Sequence, residues 1–92
     1  MIMSKLIFKQ TNSTCPEVYE VIWKLDEVLK HVGLVSLRFG KLTVFYLSID
    51  TEPQLIYEAS VGDEWTGRFT DYEEKMKHFE AIEKKILELV EG

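Results

Sequence analysis

Residues 14–33, TCPEVYEVIWKLDEVLKHVG, set the reading of the whole chain through the spacing of their apolar side chains. Val18, Ile22, Leu25, Leu29 and Val32 recur at helical intervals, widened by Val21 and Val28 into one broad stripe. Thr14 suits an N-cap, Pro16 suits the first turn, where its missing N–H is not needed, and Glu17 holds the capping-box position. Gly33 supplies a stop. The spacing therefore predicts a helix over residues 14–32 with its stripe toward a core.

That helix leaves two large aromatics in an unexpected place. At 100° per residue, Trp23 projects roughly 150° from the centre of the stripe, and Tyr19 lies beside it one turn earlier. They share that face with Glu20, Glu27 and Lys30. Covering by the N-terminal segment or by the loop carrying Trp65 would explain them. A partner surface formed by Tyr19, Trp23 and Trp65 is the sharper expectation, because Trp and Tyr are enriched among binding hot spots.

Working outward, residues 5–9 read as a strand with Leu6 and Phe8 on one face. Residues 34–39 and 42–49 are β-rich runs joined by Gly40-Lys41, a tight hairpin that pairs Phe39 with Leu42. A second turn at residues 50–53 leads into residues 54–61, pairing Ile49 with Gln54, Tyr46 with Tyr57 and Val44 with Ala59. Thr70-Asp71-Tyr72-Glu73 forms a capping box that opens a helix to about residue 90. Its buried stripe is Tyr72, Met76, Phe79, Ile82, Ile86, Leu89 and Val90, with Glu83 inside it and in need of a basic partner or a raised pKa.

The expected fold is a single α+β domain over residues 1–92, a two-layer sandwich in the order βαβββα. Its sheet is four-stranded and mostly antiparallel, with both helices on one face. The far side of such a sheet should be polar, yet Ile7, Leu34, Phe45, Leu47, Ile49 and Ile56 all point there. Covering by a second copy of the chain is the simplest account, so Leu34, Phe45, Leu47, Ile49 and Ile56 are the expected dimer interface.

Charge is uneven along the chain. The net charge is −5, but residues 1–49 carry +2, residues 50–74 carry −7 and residues 75–92 carry none. The acids of the middle segment are Asp50, Glu52, Glu58, Asp63, Glu64, Asp71, Glu73 and Glu74. Asp71, Glu73 and Glu74 fit the positive end of a helix. Clustered on one face, the eight would present a negative surface to a basic cleft, as a small inhibitor mimicking nucleic acid would. Direct nucleic-acid binding is not expected, since no basic patch is present.

The chemistry-bearing residues are few. Cys15 is the single cysteine, which precludes an internal disulfide and suits a reducing, cytoplasmic compartment. At a helix N-terminus its thiol would be activated. Cys15-Pro16 and the later Thr51-Glu52-Pro53-Gln54-Leu55 resemble the cysteine turn and proline strand of thioredoxin-like proteins, which implies a thiol-dependent enzyme using Cys15. The resemblance covers fewer than a dozen residues; Glu17-Val18 stands where a second cysteine is expected, and residues 40–49 read as strand where that family has a helix. His31 and His78 have no metal-ligand spacing and read as solvated helix residues. No cofactor or metal motif is present, and no apolar run is long enough for a membrane span. The expected function is a non-enzymatic protein–protein interaction module, homodimeric, acting as an accessory subunit or inhibitor of another protein.

Overall fold

Val18, Tyr19, Val21, Ile22 and Trp23 are β-branched or aromatic, residue types that suit a pleated, half-buried surface. In the computed structural model, which describes residues 4–12, 16–48, 50–61 and 71–91, they lie on a strand. The elements are β1 (Ser4–Asn12), β2 (Glu17–Leu25), β3 (Val28–Arg38), β4 (Lys41–Ser48), β5 (Thr51–Ser60) and α1 (Tyr72–Glu91). The five strands pair in chain order, each antiparallel to the next. The α+β class holds, but the four-stranded βαβββα sandwich with two helices is replaced by a five-stranded meander with one helix.

The expected first helix is a hairpin. Leu25 pairs with Val28 across a two-residue turn, and Asp26 takes a left-handed φ of 54° that its short side chain tolerates. In strand geometry Glu17, Tyr19, Val21 and Trp23 share one face, and that face meets the helix. A β-bulge between Val21 and Ile22 leaves Val32 without an opposite residue and turns it into the core. Gly33 is not a helix stop. A Cβ there would lie 3.1 Å from Ile86 Cδ1, 3.2 Å from Val21 Cβ and 3.3 Å from the Phe45 carbonyl, so glycine permits the helix to rest on the sheet.

The β3–β4 turn is Phe39-Gly40, both with positive φ, rather than Gly40-Lys41. Arg38 pairs with Lys41 and Leu37 with Leu42, two residues from the expected register. An even shift preserves which face each side chain occupies, so Val35, Leu37, Leu42 and Val44 still point inward and are buried. Between β4 and β5 the pairs are Val44–Tyr57 and Leu42–Ala59, again two residues from expectation. A bulge then intervenes, and Phe45 pairs with Leu55.

Asp71 caps α1, its Oδ1 accepting from the backbone N–H of Glu73 at 2.9 Å and of Glu74 at 3.4 Å. Phe79, Ile82 and Ile86 are the buried stripe. Tyr72, Met76 and Leu89, expected in it, are exposed, and Glu83 lies outside it in solvent. The sheet wraps around α1, since Phe8 from β1 stacks on Phe79 and Tyr57 from the opposite edge reaches His78. Leu37, Leu42, Ile82, Ile86, Val21, Val32, Val35 and Val44 are fully buried between them. Burial of each contributes roughly 1.5 to 3 kcal/mol. No helix among the described residues is long and apolar enough to cross a membrane.

Candidate functional site

Two polar groups flank the N-terminal half of α1. Glu17 is only 6% exposed at the start of β2 and accepts a hydrogen bond from the Tyr19 hydroxyl. Lys75 Nζ stands 3.8 Å from Glu17 Oε1 and lies over the rings of Tyr19 and Phe79, at 5.1 and 5.7 Å. Strand alternation puts Glu17 on the core face, where a carboxylate needs a cation and a donor, and these residues supply both. On the other flank, the Tyr57 hydroxyl and His78 Nδ1 are 2.7 Å apart, and His78 Nε2 lies 3.9 Å from Glu74 Oε1. Both groups tie α1 to the sheet.

Sequence reasoning missed these pairs. The helical reading puts Glu17 in a capping box, whereas its place in the alternation Glu17, Tyr19, Val21 is the signal that points to the core face. His78 is not the solvated residue expected, with its side chain only 20% exposed. His31 does face solvent, 3.9 Å from Glu20. Among the described residues no group of three or more His, Cys, Asp or Glu converges as a metal site would.

The residues expected to form an aromatic partner surface are placed differently. Tyr19 is 4% exposed, its ring edge-on to Phe79 at 5.0 Å, and Trp23 packs against the same core. They share a face because β2 alternates with period two, not because they lie one helical turn apart. That face is the inner one, and Trp65 lies outside the described residues. Cys15 does too, while residues 41–48 are strand β4, as in the departure from the thioredoxin-like pattern.

The described acids stand at separate places. Asp50 and Glu52 lie at the β4–β5 turn, and Asp71, Glu73 and Glu74 lie at the start of α1. The start of α1 is near the far end of β5, because Lys75 meets Glu17, which pairs with Leu37 beside the Phe39-Gly40 turn, and Val61 bonds to Gly40 there. Those ends are roughly 30 Å apart at about 3.3 Å per residue. Glu58 faces outward from β5 and pairs with Lys41 at 3.3 Å. Asp63 and Glu64 lie outside the described residues.

The outer sheet face is the largest feature that the core does not use. Ile7 is opposite Ile22, Leu34 is opposite Phe45, and Phe45 is opposite Leu55, with Leu47 next on the same face of β4. α1 lies on the other side, and no other described element covers this row. Of the expected interface, Leu34, Phe45 and Leu47 are on this face, half-buried by one another, and Ile49 lies outside the described residues. Ile56 is a correction, because the bulge carries it toward the core and puts Leu55, 46% exposed, in the outer row. No family model, curated protein or solved structure matches the chain.

Proposed function

We propose that the chain is a non-enzymatic protein–protein interaction module that pairs with a second copy through the outer face of its sheet and acts as an accessory subunit or inhibitor of another protein. The observation that supports this is the apolar patch of Leu34, Phe45, Leu47 and Leu55 on the outer face of β3, β4 and β5. An antiparallel sheet with one solvated face alternates apolar and polar residues, and here the face away from α1 keeps an unbroken apolar patch across β3, β4 and β5, with the Glu20–His31 pair between it and Ile7 and Ile22. A two-fold axis would bring the same row against itself, so one surface serves both copies. The lone Cys15 suits a reducing, cytoplasmic setting.

Sedimentation velocity at micromolar concentration tests the reading, with a dimer expected. Phe45→Glu and, separately, Leu34→Lys should yield folded monomers, since a charge cannot be buried unpaired at such a contact. A wild-type chain that sediments only as monomer would overturn the proposal.

A further inference from the structure

The charges of the outer sheet face are unevenly placed, and one pair of them conflicts within the chain. Leu6 and Trp23 pack inward from β1 and β2, which puts Lys5 and Lys24 outward, and the register sets these two lysines directly opposite each other. Like charges at directly opposed positions destabilise a sheet. Among the described residues neither lysine has an ion-pair partner, although Asp26 and Glu27 lie at the adjacent turn. Lys9 also points outward from β1, opposite Glu20. The β1–β2 side of the face is therefore basic, most strongly at the corner of Lys5 and Lys24.

The acids lie across the sheet at the same end. Lys24 pairs with Leu29, and past the Gly33–Tyr46 pair β3 reaches Leu29 as β4 reaches its turn into β5. Asp50 and Glu52 stand exposed at that turn, and residues 42–61 hold no Lys or Arg. Farther along β5, Glu58 is neutralised by Lys41 at 3.3 Å. The uncompensated charge is thus positive at one corner of the face and negative at the other.

Two-fold pairing turns this asymmetry into an orientation. Sheets packed face to face keep their strand directions within about 30° of one another, so an axis between them runs either across the strands or along them. An axis across the strands lays β1 over the partner's β1, lysines over lysines. An axis along the strands lays the corner of Lys5 and Lys24 over the partner's β4–β5 turn. We infer, resting on the self-association proposed for this face, that the axis runs along the strands and that Lys5 and Lys24 of each copy meet Asp50 and Glu52 of the other. The apolar patch supplies the burial, and these four charges select the orientation and the second copy as partner. Symmetry makes the contact twice, so each substitution acts twice.

Sedimentation of the full chain over a range of salt concentrations tests this. Lys5→Glu with Lys24→Glu, and separately Asp50→Lys with Glu52→Lys, should each weaken the dimer about ten-fold or more. The wild-type dimer should loosen as salt rises, whereas each double variant should tighten, because screening then relieves repulsion. Combining all four substitutions should restore affinity to within about three-fold of wild type, a recovery that a folding defect would not show. A double variant that dimerises as tightly as wild type or more so, or a fourfold variant that stays as weak as the doubles, overturns the inference while leaving self-association through this face in place. A wild-type chain that is only monomeric overturns both.

Discussion

Replacing Lys75 by methionine keeps the length of the side chain and its cover over Tyr19 and Phe79, but removes the cation 3.8 Å from the buried Glu17 carboxylate. Breaking a fully buried ion pair costs about 3 to 5 kcal/mol because a charge is stranded. Here the Lys75 side chain is 27% exposed and the Tyr19 hydroxyl still donates to Glu17, so the expected loss is about 1 to 3 kcal/mol. For a domain of this size that lowers the melting temperature by roughly 5 to 20 °C. Glu17→Gln should rescue it, since the amide oxygen still accepts from Tyr19 and no charge is left, bringing the double variant within about 1 kcal/mol of wild type. The assay is denaturant unfolding of the two single variants and the double variant, with the slope checked for constancy. If Lys75→Met alone leaves stability unchanged, or if the two losses simply add, Glu17 and Lys75 do not act as a unit and the account of how α1 is anchored fails.

Three further outcomes follow from the packing. Gly33→Ala should destabilise the fold by about 1 to 3 kcal/mol, because the new methyl meets Ile86, Val21 and the Phe45 carbonyl and the last two cannot yield easily; an unchanged unfolding midpoint would mean that α1 can lift off the sheet without cost. Trp23→Ala should lower stability by about 2 to 4 kcal/mol, as expected for a half-buried core aromatic. Trp23→Phe should stay within about 1 kcal/mol of wild type, since its buried indole N–H has no hydrogen-bond partner among the described residues. Asp71→Ala should cost about 0.5 to 2 kcal/mol and fray the first turn of α1 by amide exchange, whereas Asp71→Asn should retain most of the cap.

The parts of the fold legible in the sequence are those where local signals agree. Leu6 and Phe8 on β1, and the spacing of Phe79, Ile82 and Ile86 on α1, each have one consistent reading, whereas the side chain that caps α1 is Asp71, one residue past the Thr70 that the capping-box pattern favours. Residues 14–33 do not. Val18, Ile22, Leu25, Leu29 and Val32 fit a helical period, while Glu17, Tyr19, Val21 and Trp23 fit a strand period, and pairing with β1 and with β3 decides between them. The polar pairs Glu17–Lys75 and Tyr57–His78 join residues far apart in the chain and exist only once α1 lies in the sheet, so no spacing rule could reveal them.

Two oddities marked the sequence, and they fared differently for a physical reason. Trp23 and Tyr19 stranded opposite an apolar stripe were a symptom of the wrong period, and the oddity disappears when β2 turns both side chains inward. The excess of apolar residues on the outer sheet face persists. Leu34, Phe45 and Leu47 stay there because the β3–β4 register differs from the expected one by an even number of residues, which cannot move a side chain across the sheet. The bulge in β5 exchanges Ile56 for Leu55, one apolar residue for another, so the row is kept even where the pairing slips. An apolar face that survives both the loss of a helix and a change of register reflects the sequence rather than its alignment. That persistence is what makes sedimentation of Phe45→Glu the measurement that bears most directly on what this chain does.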